Sequence, residues 1–235
     1  DTGGRKKTPE NRDAGMIITQ TPLRVSFAGG GTDFREYWRV HGGAAVGSTI
    51  DKYIHVIVKE RFDDLIVLNY SRREIVSSVD DIEHGLIRES MRMTGVDKGV
   101  EITTLADIPS EGSGLGSSSS VTVGLLHALH AYQGELVTAE RLAREACRIE
   151  IDLLHSPIGV QDQYFAAYGG LRFFEFCADG EILQQDIGLS SADIVRLNSR
   201  LLLFYLHKTR KSASILEEQR ANIFRHLDSL KVVRD

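Results

Sequence analysis

Cysteine, proline and tryptophan are scarce in this 235-residue chain: two, four and one residues respectively. Two cysteines cannot form a disulfide framework. Cys147 and Cys177 both sit in apolar stretches, so two reduced core thiols are expected. No apolar run approaches the roughly 18 residues that span a bilayer. An excess of basic charge is also missing, with 28 basic against 33 acidic residues and a net charge of −5. Nothing in that balance draws the chain to nucleic acid or to an anionic membrane. The eight histidines, His127, His130 and His155 among them, show no metal-ligand spacing, and there are no internal repeats. Glycine is plentiful, at 22 residues, yet none follows Gly188.

What remains is ordinary globular material. Apolar residues make up 42% and charged residues 26%, which excludes disordered, coiled-coil and collagen-like classes. The length corresponds to about 1.6 domains, so one large domain or two small ones. A cytoplasmic protein is the expectation, and a homodimer is compatible with it.

Residues 1–15 are polar and charged with no apolar stretch behind them, unlike a secretory leader. They read as a disordered lead-in, with Met16 as the natural start. Alternating and β-branched runs predict strands over Met16–Ala28, Ala44–Lys59, Leu65–Tyr70, Glu74–Ser77 and Val100–Leu105. Helical spacing predicts helices over Asp33–Val40, Ile82–Met93, Val121–Tyr132 and Gln161–Tyr168. Thr138 is an N-cap candidate for one long helix to Leu154, with a buried stripe of Leu142, Ala146, Ile149 and Leu153. Leu171–Phe176 and Glu181–Ile187 read as a strand pair, Leu201–His207 as a buried strand and Ser212–Leu230 as a helix. Strands lead and helices follow, which argues for an α+β fold.

The most informative stretch is Pro109-Ser-Glu-Gly-Ser-Gly-Leu-Gly-Ser-Ser-Ser-Ser120, which runs into an apolar helix. Gly112, Gly114 and Gly116 open backbone conformations closed to other residues and allow close approach to a ligand. The helix behind them offers unpaired N–H groups and a positive dipole end. Together these form an anion site suited to phosphates. The serine hydroxyls can cap the helix, donate to phosphate oxygens or ligate Mg²⁺. No Gly-Lys-Ser/Thr follows, so this is not a Walker A loop. The Gly-x-Gly-x-Gly spacing is not the dinucleotide fingerprint either.

This loop resembles that of the GHMP kinases, whose central motif is Pro-x-x-x-Gly-Leu-Gly-Ser-Ser. Two further motifs occur in the family's order: Pro22-Leu23-Arg24-Val25 leading to Thr32-Asp33, and Glu150 followed by Gly159-Val160-Gln161-Asp162. The resemblance covers about Met16 to Leu230. Within the family, the phrases TPLRVSFAGGGTDF, SGLGSSSS and QDQYFAAYGG are most similar to the D-glycero-D-manno-heptose 7-phosphate kinases. Gly30 and Gly31 stand where galactokinases carry the Glu and His that contact the hexose, which argues against galactose. Fucose kinases carry a related Gly-Gly-x-Thr-Asp and are the nearest rival. An inactive sugar- or nucleotide-binding relative or fragment is the other.

The resemblance implies a GHMP kinase fold. Residues 16–190 would form a ribosomal-S5-domain-2-like nucleotide-binding and catalytic α/β sandwich, and 191–235 the start of a truncated ferredoxin-like domain. It also implies ATP-dependent transfer to the anomeric hydroxyl of a heptose 7-phosphate, with ATP and a sugar phosphate as the small-molecule partners. Pro109, Gly112, Ser113, Gly114, Leu115, Gly116, Ser117, Ser118 and Ser119 would hold the ATP phosphates. Ser118 and Glu150 would ligate Mg²⁺. Asp162 would face the acceptor hydroxyl, with Arg24 beside it and the γ-phosphate, where a guanidinium stabilises developing charge. Gly30, Gly31, Thr32 and Asp33 would line the sugar. Plainer roles stay open: a structural ion pair for Arg24, a helix cap for Asp33, a solvated Glu150, and a helix N-terminal charge for Asp162. Lys208, Arg210 and Lys211 form a basic turn before a helix start. That turn suits a sugar phosphate or is simply solvated, with Arg210 the residue singled out.

Overall fold

The computed structural model describes residues 15–108, 113–204 and 212–234. The polar lead-in, Pro109 and Gly112 of the glycine–serine loop, and the basic turn of Lys208, Arg210 and Lys211 lie outside the described residues. In chain order the elements are β1 (Met16–Ala28), α1 (Arg35–His41), β2 (Gly43–Glu60), β3 (Ile66–Asn69), β4 (Arg73–Val76), α2 (Gly85–Thr94), β5 (Val100–Ala106), α3 (Ser117–Tyr132), α4 (Ala139–Cys147), α5 (Gln161–Tyr168), β6 (Leu171–Phe176), β7 (Ile182–Asp186), α6 (Ser191–Asn198), α7 (Ser212–Asn222) and α8 (Leu227–Arg234).

The 18-residue β2 is the spine of a seven-stranded mixed sheet. Its first half pairs with β6 and its second half with β5, while β1 runs antiparallel along its other edge. β3 lies parallel to β5, β4 closes that end, and β7 pairs with β6. Helices α2 to α5 bury their apolar faces against this sheet. One core cluster joins Leu23, Val56, Ile66 and Ile102 to Leu125 and Leu129 of α3. A second joins Trp38, Phe174 and Phe176 to Val160, Tyr164 and Phe165. Gly47 makes room for the latter: a Cβ there would sit 2.7 Å from Phe165 Cζ. A small third cluster seats the C-terminal helices, with Ile223, Leu216 and Leu227 on Phe34 and Tyr37, and Arg220 Nε donating to Glu36 at 2.7 Å.

Several expected elements take different bounds for identifiable reasons. α2 starts at Gly85, because His84 Nδ1 accepts the Ile87 N–H and caps it there. α3 starts at Ser117 rather than Val121, so the serines form its first turn. Thr138 does cap α4, but the helix passes into a π-helical segment at Arg148–Leu153. The wider turn rotates the following side chains, so Leu153 leaves the expected stripe and is 43% exposed while Glu150 is buried. Asp33 does not cap α1, whose N-cap is Phe34. Leu201–Phe204, expected in a buried strand, are exposed and irregular; no ladder partner meets them among the described residues. The expected helix Ser212–Leu230 is broken by a 3₁₀ turn at Ile223–Arg225, and α6, capped by Ser190, had no counterpart in the sequence reading. Cys147 is buried and Cys177 half-buried, both free. Among the described residues no helix is long and apolar enough to cross a membrane.

Phe165 is fully buried and packs edge-to-face on Phe174 at 4.9 Å. Phe165→Ala should cost about 3–5 kcal/mol of unfolding free energy in a denaturant titration. A cost below ~1 kcal/mol would show that this cluster does not carry the sheet–helix packing.

Candidate active site

The site is built where β1, the glycine–serine loop and the first turn of α5 meet. The β1–β2 ladder is irregular between Pro22 and Arg24. The Arg24 N–H donates across to Leu115 O at 3.1 Å. The Arg24 side chain then forks onto Asp162, with Nε to Oδ1 at 2.7 Å and Nη2 to Oδ2 at 2.5 Å. Its remaining nitrogen, Nη1, donates to Gly114 O at 2.6 Å. One guanidinium thus uses all three nitrogens to tie the loop to α5, in the planar geometry that lysine lacks. Gly116 has a φ of +75°, which favours glycine, and a Cβ there would press on Arg24 Cγ at 3.2 Å.

Gly116 is the N-cap of α3, and no side chain caps that end. The first-turn N–H groups and the helix dipole are left to serve an anion. Ser113 and Ser117 share a hydrogen bond at 3.0 Å, and Ser120 Oγ donates to Pro22 O at 2.8 Å. Ser119 and Ser120 are buried, whereas Ser118 is exposed and faces a cavity of about 380 Å³. Glu150, His84 and Leu154 line the same cavity.

Glu150 comes from the π-helical segment and is 1% exposed. Its Oε2 accepts from Gln163 Nε2 at 2.7 Å. Burial pushes its pKa up to about 7, and the Asp162 charge adds to the rise. The nearby Ser119 and Ser118 hydroxyls and the Gln163 amide oppose that rise. Gln163 Oε1 is buried and has no hydrogen-bond partner. The Glu150 carboxylate, the exposed Ser118 hydroxyl and the unpartnered Gln163 carbonyl form an all-oxygen donor set, which fits Mg²⁺. Among the described residues no three His, Cys, Asp or Glu side chains converge as a closed metal cage.

The Gly30–Asp33 turn also meets the start of α5, where Val160 N donates to Asp33 O at 3.1 Å. Thr32 is fully buried, and its hydroxyl bonds Gly29 O and Ala44 O at 2.8 Å each. Asp33 is 3% exposed and accepts from Gly31 N at 3.0 Å and Gln161 N at 3.4 Å. It therefore caps α5 rather than α1. Gly159 makes this contact possible, because any Cβ there would overlap Asp33 Oδ2. Gly31 lies beneath Gln219 and Leu230, so of these four residues Gly30 is the exposed one. Burial, and next the Asp162 charge, raise the Asp33 pKa to about 6. The sequence reading brought Arg24, Asp162, Glu150, Asp33 and Ser113–Ser119 to one region. It missed Gln161, held by Ser26 Oγ at 2.9 Å, and Gln163; the Gln-Asp-Gln run at a helix start was the available signal.

Residues 82–170 match the family described as the GHMP kinases N terminal domain. It is 30% identical over 219 residues to the D-glycero-alpha-D-manno-heptose 7-phosphate kinase of Campylobacter jejuni, across 88% of this chain and 64% of that protein. It is 27% identical over 269 residues to the L-fucokinase/L-fucose-1-P guanylyltransferase of Bacteroides fragilis, across 94% of this chain and 27% of that one. A solved D-glycero-D-manno-heptose 1-phosphate kinase from Bacteroides thetaiotaomicron shares the fold with a TM-score of 0.75 at 26% identity, covering 91% of this chain and 72% of its own. The chain thus spans less than two thirds of the length of these two curated relatives.

Asp33 supplies a pH test. Its folded pKa of about 6 lies above the ordinary 3.8, so the folded state binds this proton more tightly than the unfolded state. Its contribution to stability is fully present below about pH 4 and is lost as pH rises through about 6. Asp33→Asn should remove a stability difference of about 2–3 kcal/mol between those limits, read from unfolding free energies at each pH. An unchanged profile would place Asp33 in water.

Proposed function

We propose that the chain is an ATP-dependent sugar kinase. It passes the γ-phosphate of ATP to the anomeric hydroxyl of D-glycero-D-manno-heptose 7-phosphate, giving the 1,7-bisphosphate for nucleotide-activated heptose and surface polysaccharide. Such a role is cytoplasmic, with ATP and a sugar phosphate as partners. The observation that carries this reading is the Arg24–Asp162 fork beside the glycine–serine loop. The 30% identity to a heptose 7-phosphate kinase supports the choice of sugar. The 27% identity to an L-fucokinase keeps L-fucose as the second reading.

Phosphoryl transfer asks for positioning and charge stabilisation more than for covalent chemistry. The N–H groups opening α3 and the Ser113–Ser119 hydroxyls bind the nucleotide's phosphates. Asp162 orients the acceptor hydroxyl and takes its proton as the new O–P bond forms and the bond to the β-phosphate oxygen breaks. Arg24 steadies Asp162 and faces the charge that develops on the moving phosphoryl group. Asp33 fixes the first turn of α5, and Gly30 leaves space beside it for the sugar. Ser118 and Glu150 would hold Mg²⁺, which neutralises phosphate charge when bound. The basic turn of Lys208, Arg210 and Lys211 would meet the 7-phosphate, a role supported by sequence alone.

Two measurements test this. ADP release over a panel of heptose 7-phosphate, L-fucose and galactose should be fastest with the first. Asp162→Asn should lower kcat by about 10²–10⁴-fold with nucleotide binding retained. Turnover at the wild-type rate in that variant would refute Asp162 as the proton acceptor.

A further inference from the structure

The Gln163 side chain is 0% exposed, yet only one end of its carboxamide is satisfied. Nε2 donates to Glu150 Oε2 at 2.7 Å, while Oε1 has no partner. With Glu150 ionised, reversing the amide would set its carbonyl against a carboxylate oxygen, so the ionised state fixes this orientation. A glutamine serving packing alone would not be expected to strand a buried carbonyl. The buried Ser119 hydroxyl is directed at the same carboxylate, whose ionised form it favours. An unpartnered carbonyl beside a buried acidic group indicates a group that arrives with donors of its own. A hydrated cation brings such donors in its water ligands.

We infer that Gln163 is a positioning residue: it grips one oxygen of Glu150, leaves the other for the cation, and turns its carbonyl toward a cation-bound water. This deepens the kinase reading and rests on it. Asp162 and Gln163 are consecutive, so one helical turn sets both the acceptor side and the cation side of the transfer.

The experiment measures Mn²⁺ binding by electron paramagnetic resonance in the presence of a non-hydrolysable ATP analogue. Gln163→Met should raise the Mn²⁺ Kd by about 10–100-fold, as loss of outer-shell partners does. Binding of the analogue without metal should not change. Gln163→Glu, which keeps the volume but presents a carboxylate to Glu150, should do the same if the Met variant fails to fold. In a Glu150→Gln background, the further effect of Gln163→Met should vanish, since it acts through Glu150. A Kd within twofold of wild type, or an equal loss in the Glu150→Gln background, would overturn the inference while leaving the kinase reading intact. Absence of Mn²⁺ uptake by the wild-type protein would overturn both.

Discussion

The fork between Arg24 and Asp162 is the contact on which the site depends. Three parts of the chain far apart in sequence meet at one guanidinium: β1 supplies it, α5 receives two of its bonds, and Gly114 of the loop receives the third. The sheet is what brings them together. β2 pairs with β1 along one edge and with β5 and β6 along the other, so the strands leading to the loop and away from α5 share one spine. Gly116 and Gly159 are the close-approach points. A side chain at the first would crowd Arg24, and one at the second would overlap Asp33.

The electrostatics follow from that convergence. Asp33, Asp162 and Glu150 crowd around the first turn of α5, with Arg24 as the cation bonded to Asp162. Burial raises the pKa of Asp33 to about 6 and of Glu150 to about 7, and the Asp162 charge contributes to both. Such a cluster carries more negative charge than it neutralises, a state suited to taking up a divalent cation. The uncapped start of α3, the proposed phosphate side, is separate from this cluster, and α3 and α5 are neighbouring helices.

Much of this was legible in the chain. The glycine–serine loop announced an anion site, and the order of Arg24, Asp33, Glu150 and Asp162 announced the rest. Strand positions followed from alternation, and Thr138 marked a helix start by a local rule that holds within a few residues. Other features were not legible, because they depend on contacts between distant segments. The π-helical segment that buries Glu150 and exposes Leu153 leaves no mark in a periodic pattern that fits an ordinary helix equally well. Asp33 looked like a cap for the helix that follows it, but its carboxylate lies against α5, 128 residues away. Leu201–Phe204 show the converse error: an apolar run predicts burial, yet burial needs a neighbouring edge, and none meets it among the described residues.

The most direct test of the central contact is a double-mutant cycle of Arg24→Gln and Asp162→Asn, read as unfolding free energy. The pair is bidentate and mostly buried, with side-chain exposures of 12% and 21%. A coupling of about 1.5–3 kcal/mol is predicted, the range for hydrogen bonds to charged groups. Additivity of the two substitutions within ~0.5 kcal/mol would contradict the claim that this contact joins the loop to α5.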